Sequence, residues 1–308
     1  MTVHKSFHYG LINAVLLLAF VLGVAAQTEY EKTIQTARTD REAKLKADDG
    51  WLTVSGLFWL KEGANEFGAD SSNDLVITAS GAPAKIGTFD LQDGKVTLRV
   101  ASGVTVTVDD KPVQEYQLQG DAAKKPEAIR TGDLTFLLLK RGARYGIRLK
   151  DKNAASRREF TGLRWYPVKE EYRVTAQFLP YDQPKDVPII NILGDVENYK
   201  SPGLLKFKLR GQEYTLEPVN SGEKLFLILR DQTSGKTTYA ASRFLYADKP
   251  KDGQVILDFN LVINPPCAFT AYATCPLPPK QNRLNTAIEA GELIYQSHGE
   301  AAQAKPEK

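Results

Sequence analysis

From Trp51 onward the chain is written in short apolar or alternating runs separated by Gly, Asn and Asp. Val96-Thr-Leu-Arg-Val100 and Val104-Thr-Val-Thr-Val108 alternate with a period of two, which places successive side chains on opposite faces of a strand. Ser102-Gly103 between them predicts a hairpin turn. Residues 134–139 form a continuous apolar run of strand length, and 145–149, after Gly142, is its predicted partner. Further strands are predicted at 172–178, 204–209, 214–217, 224–229 and 254–257. Residues 30–46 differ: they lack Gly and Pro, are rich in Glu, Arg, Lys and Ala, and predict one amphipathic helix with Ile34, Ala37 and Leu45 on its apolar side. The expected fold is all-β, two β-sandwich or barrel-like parts preceded by a short N-terminal helix. Gly162 and Pro167 break the strand pattern, so the division is 27–50 for the helix, 51–160 for the first β-domain and 161–298 for the second, with a polar disordered tail at 299–308.

The first residues change the picture of where the protein works. Lys5 precedes an apolar run from Leu11 to Val24, and Val24-Ala25-Ala26 places small residues at −3 and −1 of a cleavage point. This is the pattern of a signal peptide over 1–26, cleaved after Ala26, because the run is shorter than the roughly 20 residues that span a bilayer. The expected location is secreted or periplasmic, without stable membrane insertion. About 280 residues then remain, enough for one large or two ordinary domains.

Charge and rare residues narrow the chemistry. Lys and Arg number 40 against 37 Asp and Glu, so loss of Lys5 takes the net charge from +3 to +2, a balance that gives no steering toward nucleic acid. Of the three histidines, His4 and His8 leave with the signal peptide and His298 lies near the tail. A folded body without histidine excludes Ser-His-Asp and Cys-His nucleophiles and His-ligated zinc. No cofactor and no metal is expected, the alternative being Ca²⁺ or Mg²⁺ on oxygen ligands from Asp258, Glu292 and the Asn carbonyls. Two cysteines in an exported chain read first as a disulfide, Cys267 with Cys275, whose small ring is worth roughly 2–3 kcal/mol on the chain-entropy model. A reduced pair or a two-thiolate metal site is the alternative. Gly235-Lys236-Thr237 lacks the upstream glycine of a phosphate loop and is not a nucleotide site.

Gly63-Ala-Asn-Glu-Phe-Gly68-Ala-Asp-Ser-Ser-Asn73-Asp-Leu-Val-Ile77 is similar to the opening of a forkhead-associated domain, a β-sandwich that reads phosphothreonine. The resemblance implies the sandwich and stops at the chemistry. Ala69 stands where those domains carry an arginine, and a phosphate without a guanidinium loses its strong charge-assisted contact. Trp51, Phe58 and Trp59 form either a stacking platform for a ligand or part of the core, and alternation sends only one of Phe58 and Trp59 outward.

The densest constellation lies late in the chain. Asp258-Phe-Asn260, Asn264-Pro-Pro-Cys267, Cys275-Pro-Leu-Pro-Pro and Asn282-Arg-Leu combine amides, a carboxylate, both cysteines and five prolines, and proline fixes φ so that such a loop holds its shape at low entropic cost. With Asp231-Gln-Thr-Ser-Gly-Lys-Thr-Thr-Tyr239, Arg243-Phe-Leu and Ile288-Glu-Ala-Gly-Glu292, these motifs resemble an uncharacterised family, domain of unknown function 1684, with Ala240-Ala241-Ser242 departing from the glycines expected there. The resemblance implies a shared site without an established activity. The candidate ligand-binding residues are Tyr239, Arg243, Asp258, Asn260, Asn264, Asn282 and Glu292, with Arg243 as a carboxylate clamp and the Asn side chains as amide donors and acceptors. The expected function is binding of a small polar or carboxylate-bearing molecule. The alternatives are a hydrolase using Asp258 and Glu292 as acid and base, and a structural envelope module in which Arg243 pairs with Asp258 to tie the loop down.

Overall fold

The computed structural model describes residues 29–123 and 126–295. The expected signal peptide, His298 and the polar tail lie outside the described residues. The chain divides into two compact units, one ending at Glu42 and the other beginning at Ala43. Residues 29–46 are helical, as a stretch free of Gly and Pro should be. Among the described residues no helix is long and apolar enough to cross a membrane.

The rest is all-β. Val54–Trp59, Arg144–Asp151, Leu134–Arg141, Ile129–Thr131, Thr107–Val108 and Lys111–Pro112 line up in that order as a six-stranded sheet. A five-stranded sheet runs Leu75–Val76, Gly63–Gly68, Gly87–Gln92, Lys95–Val100, Glu115–Leu118. Alternate residues of both sheets meet in one core. Its centre is Phe67 stacked on Phe89 at 4.3 Å between ring centroids, with Phe136 from the other sheet edge-on to Phe67 at 5.3 Å.

The 134–139 and 145–149 pairing is as expected, Leu134 to Arg141 lying antiparallel to Arg144 to Asp151 around Gly142. The expected hairpin between 96–100 and 104–108 is not. Lys95–Val100 pairs instead with Gly87–Gln92 through an Asp93-Gly94 turn, while Thr107–Val108 belongs to the opposite sheet. Asp93 and Gly94 both have positive φ, at 50° and 73°, the geometry of the two-residue hairpin turn whose twist suits the strands, so that turn takes Lys95–Val100 as its own. Ser102-Gly103 then carries the chain across from one sheet to the other.

In the second half, Gln212–Leu216, Val196–Leu209, Arg173–Ile190 and Gln254–Asp258 form a four-stranded sheet, and Val219–Ser221, Lys224–Leu229 and Arg243–Asp248 a three-stranded one. Lys224–Leu229 is buried on both faces. Leu225, Leu227 and Leu229 enter the core between the two sheets, and Phe226 and Ile228 enter a smaller core with Val187, Ile189, Phe244, Ala273 and Cys275. That double burial is why its sequence is an unbroken apolar run. The strands at 173–190 and 196–209 are far longer than expected, because Pro180, Pro184 and Pro188 interrupt the alternation and the pairing absorbs them in an irregularity between Pro180 and Lys185.

Truncating Phe136, which is fully buried, to Ala should lower the unfolding free energy by about 3–5 kcal/mol, whereas Ile256→Ala at the surface should change it by about 0.5 kcal/mol or less. Urea denaturation of both variants measures the contrast.

Candidate functional site

Arg243 opens its strand fully enclosed, and its guanidinium meets Asp231, not Asp258. Nη1 donates to Asp231 Oδ2 at 2.7 Å and to the carbonyl of Ile288 at 3.0 Å, and Nη2 donates to the carbonyl of Ala290. The other carboxylate oxygen, Asp231 Oδ1, accepts from the Thr233 N–H at 2.8 Å, the Thr233 hydroxyl at 2.6 Å and the Ile288 N–H at 3.3 Å. The expected Arg243 to Asp258 tie is therefore corrected: Asp258 Oδ2 faces the half-exposed Arg173 at 3.9 Å, and its Oδ1 accepts from the N–H and the side-chain amide of Asn260. The chain makes that choice because Asp258 caps a short 3₁₀ turn, Phe259–Leu261, through its own side chain.

The amides that were expected to face a ligand are turned to the main chain. Asn260 accepts from the Lys169 N–H at 3.1 Å and donates to the Lys169 carbonyl at 2.8 Å. Asn282 accepts from the Glu217 N–H and donates to the carbonyls of Glu217 and Ile228. Asn264 donates to the Leu293 carbonyl at 2.7 Å. Glu292 is fully buried, and its N–H is bonded to the Val262 carbonyl. The structure thus brings Arg243, Asn264 and Glu292 to the segment 288–293, sets Asn260 against Lys169 and Asp258 against Asn260 and Arg173, and leaves Asn282 apart beside Glu217.

Tyr239 leads to a second group. Its hydroxyl donates to the Cys267 carbonyl at 3.2 Å, and burial, with both cysteines adding to it, pushes its pKa up to about 12. Cys267 and Cys275 are free thiols in this structure, and the Cys267 N–H donates to Cys275 Sγ at 3.1 Å. The hydrogen bond with Cys275 draws the Cys267 thiol below its ordinary value, while burial, followed by that same bond, pushes Cys275 up. The loop that carries them is pinned from outside: the Cys275 carbonyl accepts from the Ile192 N–H, the Thr270 hydroxyl donates to the Val54 carbonyl, and Arg141 Nε donates to the Thr274 hydroxyl.

Beside the thiols stands Arg148, which sequence reading missed. It lies in the strand Arg144–Asp151, between Ile147 and Leu149, whose side chains fill the sandwich core, so alternation sends Arg148 to the other face. It is 6% exposed, its guanidinium carbon lies 4.9 Å from the Trp51 ring centroid, and among the described residues Nε and Nη2 have no hydrogen-bond partner. Burial, then the like charge of Arg141, lowers its pKa to about 10, with Cys275, Asp121 and Cys267 pulling the other way. The sequence carried no signal for it, because alternation with Ile147 and Leu149 reads Arg148 as an ordinary outward-facing charge. Trp51 is accordingly the platform of a buried cation, Trp59 is covered by Arg144 at 4.1 Å, and Phe58 packs on the sandwich core. Among the described residues no group of three or more His, Cys, Asp or Glu could hold a metal ion.

Residues 158–293 match the family described as protein of unknown function, DUF1684. The chain belongs to this family. A solution structure of an uncharacterised protein from Haloarcula marismortui is similar at 31% identity, with a TM-score of 0.38, over 44% of this chain and 78% of that one. The FHA domain of FhaA, crystallised in complex with an intracellular domain, is similar at 19% identity and a TM-score of 0.23, over 30% of this chain and 97% of that one. A search of curated proteins finds no match. The DUF1684 stretch contains Arg243 and both cysteines, whereas Trp51 and Arg148 precede it.

Arg243→Met should cost about 3–5 kcal/mol, because it leaves the Asp231 carboxylate buried and unpaired, and adding Asp231→Asn should recover part of that loss. Denaturant melts of the two single variants and the double variant provide the cycle. Gly291, at φ +79°, should also resist substitution: a Cβ there would stand 2.4 Å from the Val262 carbonyl oxygen, so Gly291→Ala should lower the melting temperature by several degrees.

Proposed function

We propose that this is an exported protein that binds a small carboxylate-bearing ligand against Arg148, at the edge of the loop that holds Cys267 and Cys275. The observation that carries this reading is the pair of Arg148 N–H groups, Nε and Nη2, buried without an acceptor. A buried guanidinium with unfilled donors is costly, and it presents adjacent donors in the fork that a planar carboxylate fits. Trp51 and Cys267 beside it are only partly buried. The ligand class is the one expected from the sequence; the clamp moves from Arg243, whose Nη donors are committed to Asp231 and two carbonyls, to Arg148. Export follows from the signal-peptide pattern at 1–26.

A bracing role for the other candidates is favoured by a separate observation. Asn260 and Asn282 spend their amides on the main chain of distant segments, 91 and 65 residues away in sequence. Those residues hold the scaffold on which Arg148 and the loop meet.

Isothermal titration of the mature protein with a panel of small mono- and dicarboxylates should find a binder, and Arg148→Met should weaken it by about tenfold or more while the circular dichroism spectrum is kept. Binding that survives Arg148→Met, or no binder in the panel with a bare mass in native mass spectrometry, overturns the reading.

A further inference from the structure

The ligand reading makes no use of the two sulfurs. We propose that Cys267 and Cys275 are a redox-active dithiol that exchanges two electrons with small-molecule disulfides, Cys267 attacking and Cys275 resolving.

Three features of the geometry carry this. First, the two cysteines already meet: the Cys267 N–H reaches Cys275 Sγ at 3.1 Å, and each thiol shifts the pKa of the other. The segments around them are fixed independently, Cys267 in the 3₁₀ turn Pro266–Ala268 and Cys275 by the Ile192 N–H on its carbonyl. Second, the pair is asymmetric. Cys275 is 5% exposed and part of a core with Phe226 and Phe244, whereas Cys267 sits at its edge, partly open to solvent. An incoming disulfide reaches Cys267 first. Third, Arg148 supplies positive charge beside both sulfurs, and that charge favours a thiolate over a thiol. The lowered value at Cys267 and the raised one at Cys275 agree in direction with attack by the first and protonated waiting by the second.

The step balances. The Cys267 thiolate attacks one sulfur of a low-molecular-weight disulfide, forms a mixed disulfide and expels one thiolate, which takes a proton from water. Cys275 loses its proton and attacks Cys267 Sγ, expelling the second small thiol and closing the Cys267 to Cys275 disulfide. The protein dithiol is oxidised by two electrons, the small disulfide is reduced to two thiols, and the reverse exchange restores the protein.

The test uses the mature protein and hydroxyethyl disulfide, with intact-mass spectrometry under native conditions and no carboxylate present. Wild type should lose two hydrogens and keep no adduct. Cys275→Ser should accumulate one mixed disulfide, at Cys267 by peptide mapping, and Cys267→Ser should react about tenfold or more slowly. Each variant is checked by circular dichroism, and the wild-type mass stands as a reading that needs no variant. A lasting adduct on wild type, equal rates for the two variants, or thiols that react only after unfolding would overturn the proposal. Carboxylate binding by Cys267→Ser reports on the ligand reading separately, so either can fail without the other.

Discussion

The ion pair between Arg243 and Asp231, both side chains without solvent exposure, is the constraint on which the second half of the molecule depends. Desolvating two charges is repaid only where their remaining hydrogen-bonding positions are filled, and removing one partner of such a pair costs about 3–5 kcal/mol, several times the worth of a surface bridge. The chain fills most of them with pieces of itself, a turn beginning at Asp231 and the carbonyls of Ile288 and Ala290, and among the described residues only Arg243 Nε of the guanidinium is left without an acceptor. The terminal segment can then lie only where those carbonyls reach the guanidinium. From there Glu292 pairs with Val262, Leu293 with Arg164 and Ile294 with Thr237, so one buried charge sets the course of a stretch that has no regular strand of its own.

How much of this was readable follows from the range of the interactions involved. Strands whose alternation or apolar run is local, such as those at 134–139 and 224–229, were legible because a period of two needs no distant partner. The long pair at 173–190 and 196–209 was not, since four prolines mask the period and an irregularity that the sequence does not announce restores the pairing. The Asp93-Gly94 turn was legible in principle as a hairpin signal, but Ser102-Gly103 competed with it. Sheet membership decides such contests, and sheet membership is a tertiary fact.

The candidate site shows the same division. Residue types concentrated in 231–292 located the polar network correctly, yet their orientation could not be read, because an Asn beside a proline presents the same letters whether it faces a ligand or a carbonyl 91 residues away. Arg148 was invisible for the opposite reason. It is a single charge in an otherwise ordinary strand, and only the arrival of the cysteine loop on that face makes its burial consequential.

The two buried arginines differ in how completely they are answered. The Nη groups of Arg243 have a carboxylate and two carbonyls; Arg148 has an aromatic face, two thiols and two donors left over. A lysine in that position could lose its proton and become a neutral guest, but a guanidinium whose pKa falls only to about 10 stays charged at neutral pH. The charge therefore has to be met by an anion. In the proposed redox cycle the Cys267 sulfur, drawn toward its thiolate, supplies part of one from within. Oxidation consumes that thiolate and leaves an external carboxylate as the natural counter-charge, so by linkage whatever anion sits at Arg148 bears on the ease with which the dithiol closes.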